Sequence, residues 1–264
     1  MNRTTFQSFL VLGISLNVSV AVTHAQSESM NSIENTHRKL ASQFATSNFA
    51  IDLRDSTIGD RAALFAKSLR GMEFQMGADM FDLRRVDCVT FTERCLALAC
   101  ADDWDQYYVA SQRLRHGAPS NHFLDRNFFT LTDWVPNNAW LLDDMTSTLG
   151  CPVTMFDYVV RPRQFFERLE FGEDDSALGR EKAAAKAARI ALLPEKITHR
   201  DHYVSRSDLA QIETEIHAGD VLLVIRERNL PGMVPWYDSD HMGVAVRDRW
   251  VAVHSACSSS SIGN

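Results

Sequence analysis

The chain has 264 residues, 45% of them hydrophobic and 23% charged, with a formal net charge of −7. These proportions fit one globular domain that can bury its core without disulfide staples. The acidic balance argues against a nucleic-acid surface as the main business, and groups such as Arg161-Pro162-Arg163 read as a solvated face.

Residues 1–25 have the layout of a secretory signal peptide. Arg3 is the only charge before Glu28, residues 9–21 are mostly apolar, and small residues follow up to Thr23-His24-Ala25. No later stretch reaches the length of a membrane span. The expectation is an exported protein, periplasmic or secreted, with residues 26–264 forming a single catalytic domain behind a polar lead-in over 26–50.

Residues 56–71 have helical spacing, with Ala62, Leu64, Phe65 and Leu69 on one face and Gly71 as a stop. A short approach over 81–85 precedes Asp87, which opens a second helical pattern running to about Ala101. Residues 113–138 are rich in aromatic, Asn and Asp residues without a clean period, and read as long ordered loops. A short helix is expected over 143–149 and a strand over 156–160. The Ala-rich stretch 181–192 reads as a helix whose Lys182, Lys186 and Arg189 form a solvent-facing stripe. Strands are expected over 221–225, 241–246 and 250–254. Helices first and antiparallel strands later give an α+β domain.

Of the five cysteines, Cys88 stands out. It follows Asp87 at the start of a helix, where unbonded N–H groups and the helix dipole favour negative charge on sulfur and could also hold an oxyanion. Cys95, seven residues on and on the same face, suits a buried structural role, as does Cys100. No C-x-x-C pair is present.

A thiol nucleophile needs an imidazole base and a group that orients it. His241 opens one expected strand and His254 closes the next. A tight turn at Arg247-Asp248 would set Val246 opposite Arg249 and bring His241 opposite His254, with Cβ atoms about 5 Å apart. Metal is the competing use of Asp238, Asp240, His241 and His254, but no metal-ligand spacing such as H-E-x-x-H occurs. Neither G-x-S-x-G, nor a Walker motif, nor a dinucleotide fingerprint is present.

Three blocks resemble the NlpC/P60 superfamily of papain-like cysteine peptidases, and within it the N-acetylmuramoyl-L-alanine amidase-like branch, formerly domain of unknown function 1460. The first runs from Val86-Asp87-Cys88-Val89-Thr90-Phe91-Thr92-Glu93 to Leu96-Ala97-Leu98-Ala99. The second holds Arg113-Leu114-Arg115-His116-Gly117, Asp125-Arg126-Asn127-Phe128-Phe129 and Asp133-Trp134-Val135-Pro136-Asn137-Asn138. The third holds Gly219-Asp220-Val221, His241-Met242-Gly243-Val244-Ala245 and His254-Ser255-Ala256-Cys257-Ser258.

The resemblance covers most of the chain from about Ile51. It implies a papain-like NlpC/P60 fold, with a helix bearing Cys88 packed on an antiparallel sheet bearing His241, and with His254 as the third catalytic member. It implies hydrolysis of the N-acetylmuramoyl–L-alanine amide bond in muropeptides, anhydro forms above all, without metal or organic cofactor. Arg126, Asn127, Trp134 and Asn138 are its candidate substrate contacts, and peptidoglycan fragments its partner. Two other readings use the same residues: an endopeptidase cutting between D-glutamate and the diamino acid, and a non-catalytic muropeptide-binding protein.

Overall fold

The structure, a computed structural model, describes residues 56–75, 80, 84–116, 125–168, 177–228, 236–246 and 251–253. All of them belong to one compact unit, 44–264. The expected signal peptide, the lead-in and His254 lie outside the described residues.

Helix α1 spans Ile58–Ser68. Thr57 caps it by accepting from the Asp60 N–H, and Ala62, Ala63, Phe65 and Ala66 form its buried face. The chain leaves it through Gly71 at φ 92°. Two short parallel strands follow, β1 (Glu73–Phe74) and β2 (Arg85–Val86). Helix α2, Cys88–Ala99, is the centre of the domain: every residue from Thr90 to Ala99 is buried. It packs between α1, the next helix α3 (Trp104–His116) and a later strand.

Only the last four residues of helix α3, 113–116, fall in the region expected to be loops; its earlier part carries no assignment from sequence. Its buried residues Trp104, Tyr107, Ala110, Ser111 and Leu114 recur every three or four positions. The polar residues between them hide that stripe from a hydrophobicity count. Beyond it, a wide π-helical turn (Thr130–Trp134) runs into a single α turn, α4 (Val135–Asn137). The short helix expected at 143–149 is a 3₁₀ turn, Thr146–Thr148.

Strand β3 (Val153–Val160) pairs antiparallel with β4 (Ile197–Val204). The Asp157–Arg200 cross-strand pair pins that register with two hydrogen bonds of 2.6 and 2.9 Å. Phe156, Tyr158 and Val160 point inward with Leu131 to form a second core cluster. Between the two strands lie α5 (Pro162–Arg168) and α6 (Ala177–Leu192). Pro162 is buried and Arg163 donates to the Leu193 carbonyl at 3.0 Å, so this basic group is partly built into the fold.

The last sheet has the order β5 (Val221–Arg228), β6 (Trp236–Val246), β7 (Val251–Val253), all antiparallel. Its entry depends on Gly219, at φ 93°, where an added Cβ would lie 2.2 Å from the Gly59 carbonyl oxygen. The Gly219 N–H donates to the Ala245 carbonyl and the Ala245 N–H to the Asp220 carbonyl, both at 2.8 Å. Small antiparallel sheets beside a helical layer make this an α+β arrangement.

The β6–β7 register corrects the sequence expectation. Val246 pairs with Val251, Ala245 with Ala252 and Val244 with Val253, two positions away from the register that would oppose His241 to His254. The physical reason lies in the turn. A two-residue turn of the favoured primed types needs Gly or Asn at positive φ, and Arg247-Asp248 supplies neither. The connection takes four residues, 247–250.

Candidate active site

Cys88 is the first residue of α2, and its neighbours explain why a helix begins there. Asp87 caps the helix: its carboxylate accepts from the Thr90 N–H at 2.7 Å, and the Thr90 hydroxyl accepts from the Asp87 N–H at 2.7 Å. This reciprocal box fixes the first turn. The N–H groups of Cys88 and Val89 have no carbonyl a turn earlier to bond, and they favour negative charge on the sulfur.

Strand β6 completes the sulfur's surroundings. Met242 is buried on a strand packed against α2, and its N–H works to lower the Cys88 pKa. His241 is the residue just before it. A bulge falls at that point: Val224 pairs with His241 while Ile225 pairs with Ser239, leaving Asp240 as the extra residue. Bulges of this kind re-aim a side chain within a sheet. His241 is partly buried, with Nε2 shielded from solvent, and its cross-strand partner Val224 is half exposed. The nucleophile candidate and its base candidate therefore sit on two elements that pack against each other.

The resting charge of Cys88 differs from the sequence expectation. Burial pushes its pKa up from the usual thiol value, and the Asp87 carboxylate adds to the rise. The three N–H groups oppose this without overcoming it. At neutral pH the group is a thiol that requires a base.

Below the first turn lies a buried polar network that sequence reasoning did not single out. Glu93 is 1% exposed; it accepts from Trp134 Nε1 at 3.1 Å and forms an ion pair with Arg115 at 3.3 Å. Burial raises its pKa, and the charges of Arg115 and Arg126 and the Trp134 bond work against that rise. The adjacent Arg94, also 1% exposed, donates to the Met80 carbonyl at 2.9 Å. A Glu-Arg pair inside an otherwise apolar helix was the available signal, because buried charges need partners.

The four expected substrate contacts separate into two pairs. Trp134 and Asn138 are 1% and 0% exposed. Trp134 serves Glu93, and Asn138 donates to the carbonyls of Leu114 at 3.0 Å and Trp134 at 2.8 Å. Asn127 donates to the Leu114 carbonyl at 2.9 Å and accepts from Asn137. Two of these bonds satisfy the Leu114 carbonyl, left open near the end of α3. Arg126 and Asn127 are partly exposed and line a cavity of about 330 Å³, which Trp134 and Asn138 do not reach. Arg189, expected on a solvent stripe, lines the same cavity and has its Nε buried.

His254 and the side chains of Asp238 and Asp240 lie outside what the structure describes. Among the described residues, no group of three or more His, Cys, Asp or Glu side chains gathers as a metal site, and no helix is long and apolar enough to cross a membrane. Cys88, Cys95, Cys100 and Cys151 are free thiols.

A family model described as "AmiA-like: N-acetylmuramoyl-L-alanine amidase-like" matches residues 65–263, a span that takes in the Cys88 helix, the polar network and β6. The chain belongs to this family. Solved structures share its fold. One is a Legionella pneumophila protein assigned to domain-of-unknown-function family 1460, 18% identical, with a TM-score of 0.66 over 83% of this chain and 82% of that one. Another is an N-acetylmuramoyl-L-alanine amidase from Bacteroides uniformis, 16% identical, with a TM-score of 0.51 over 73% of this chain and 81% of that one. At such identities the likeness establishes the shared fold. No curated protein matches the AmiA-like chain in sequence.

Proposed function

We propose that the protein is an exported cysteine amidase of the NlpC/P60 type that hydrolyses the N-acetylmuramoyl–L-alanine bond of muropeptides, anhydro forms above all. The observation that carries this reading is the packing of β6, the strand of His241, against the Cys88 helix, with the buried Met242 next to His241 contributing an N–H that favours negative charge on the Cys88 sulfur. Membership in an amidase-like family supports the bond class.

In this mechanism His241 removes the proton from Cys88, and the thiolate attacks the amide carbonyl. N–H groups at the start of α2 stabilise the oxyanion. The protonated His241 delivers its proton to the leaving amine of L-alanine, and water then hydrolyses the thioester. His254 holds His241 in the useful tautomer. Arg126 and Asn127 contact the substrate, while Trp134 and Asn138 hold the wall behind them. No cofactor takes part.

The test is mass spectrometry of anhydro-muropeptides incubated with the protein, beside Cys88→Ala. The expected result is free peptide with N-terminal L-alanine, absent in the variant. Shortened stems still attached to the sugar would assign the endopeptidase reaction instead. Intact substrate with well-folded, reduced protein would contradict an enzymatic role on these fragments.

A further inference from the structure

The cavity of about 330 Å³ lies on the polar side of the π-helical turn, and its volume is at the lower end of small-ligand sites. Its lining includes the apolar Phe166, Leu193 and Ile197. It also includes His116, the cations Arg126 and Arg189, and the acids Asp125 and Asp133. Two atoms there are buried without a hydrogen-bond partner: Arg189 Nε and His116 Nδ1. Groups of this kind are costly to leave unmade, so each asks for an explanation.

Their chemistry is complementary. Arg189 offers a guanidinium, which prefers a carboxylate. Asp133, whose carboxyl feels the Arg189 charge, is engaged in its own turn: it accepts from the Phe129 N–H at 3.3 Å and the Thr132 hydroxyl at 3.2 Å. Asp125 also lines the cavity, and its backbone carbonyl bonds the His116 ring. A neutral imidazole carries one donor and one acceptor nitrogen. Burial and the charges of Arg115 and Arg126 keep His116 neutral. The cavity thus presents cations, a neutral imidazole and apolar side chains, with Asp133 engaged in its own turn and Asp125 exposed. An amino-acid residue with a carboxylate and a peptide group matches the first three.

We infer that this cavity holds a carboxylate-bearing residue of the substrate's stem peptide, with Arg189 on the carboxylate and the neutral His116 ring beside the peptide group. The inference rests on the amidase reading for the identity of the peptide. It makes Arg189 a specificity residue outside the catalytic group.

The experiment compares wild type with Arg189→Gln on two substrates: a muramoyl tripeptide with free carboxylates and the same compound with every peptide carboxyl converted to carboxamide. Calorimetry of the free tripeptide with Cys88→Ala, with and without Arg189→Gln, supplies a readout besides cleavage. Wild type should prefer the carboxylate substrate by roughly 10- to 100-fold in kcat/KM, chiefly through KM. Arg189→Gln should lose that preference and be no worse than wild type on the carboxamide. Arg189→Lys should recover part of it. Equal loss on both substrates, or no loss on either, overturns the assignment. Cleavage of neither substrate by wild type counts against the amidase reading; tripeptide binding weakened by Arg189→Gln would then still support the cavity, and binding unaffected by it would overturn both.

Discussion

Cys88 and Cys95 lie seven residues apart on one face of one helix, yet their surroundings give them opposite chemistry. Cys95 is 0% exposed, and burial raises its thiol pKa far above the ordinary range. Cys88 is partly exposed, has three backbone N–H groups that favour its negative charge, and lies on a helix packed against the strand of a histidine. Both are thiols at rest, but only Cys88 has the means to become a thiolate. The difference teaches that the helix end, with its open N–H groups, makes a reactive cysteine, while the same residue two turns in is packing.

The sharpest way to break this comparison is to exchange the two roles. Cys88→Ala should lower amidase activity by about four orders of magnitude or more with little change in melting temperature. Cys95→Ala should leave kcat within about twofold while costing roughly 1 kcal/mol of stability, measured by denaturant unfolding. Comparable activity losses in both variants would remove Cys88's special standing.

Glu93 sharpens the contrast between reacting and holding. Glu93→Ala leaves Arg115 buried without its acid and should cost about 3–5 kcal/mol, read as a lowered unfolding midpoint. Glu93→Gln, which keeps an acceptor for Trp134 Nε1, should cost less. An unchanged midpoint for Glu93→Ala would show that the network does not support the helix.

Two smaller effects follow from charge. The Asp87 carboxylate raises the Cys88 pKa, so Asp87→Asn should move thiol titration to lower pH and speed alkylation at neutral pH, while Asn still caps the helix. Slower alkylation would contradict this. The folded-state pKa of His116 is lowered, so the unfolded chain binds the proton more readily, and stability falls as pH drops through 6.5 and below. The groups facing it are Arg115, Arg126 and Asp125. His116→Gln should flatten that limb of a melting-temperature profile, and an unchanged slope would exclude His116 as its source.

The start of α2 was legible because its signal is local: an Asp cap, a Thr three residues on, and an apolar run. Strand β6 was legible in the same way, from His241-Met242-Gly243-Val244-Ala245. The hairpin register was not legible, because it depends on how many residues the turn consumes, and Arg247-Asp248-Arg249-Trp250 carries no turn signature. Strand β4 was missed because Arg200, Asp201 and His202 interrupt its apolar positions, and α3 because polar residues separate its buried stripe. Trp134 and Asn138 stood in a block typical of a site, but burial assigns them to the wall. Arg189 stood on a helix face that looks solvated, and only the cavity reveals its other side.

The most direct test of the central claim is the pH dependence of iodoacetamide alkylation at Cys88, followed by peptide mass spectrometry in wild type and His241→Ala. The account predicts that wild-type Cys88 reacts while Cys95 stays unmodified, and that His241→Ala moves the Cys88 titration to higher pH, because an imidazolium beside the sulfur favours the thiolate. Superimposable profiles in the two proteins would show that His241 does not act on Cys88, and would contradict the mechanism.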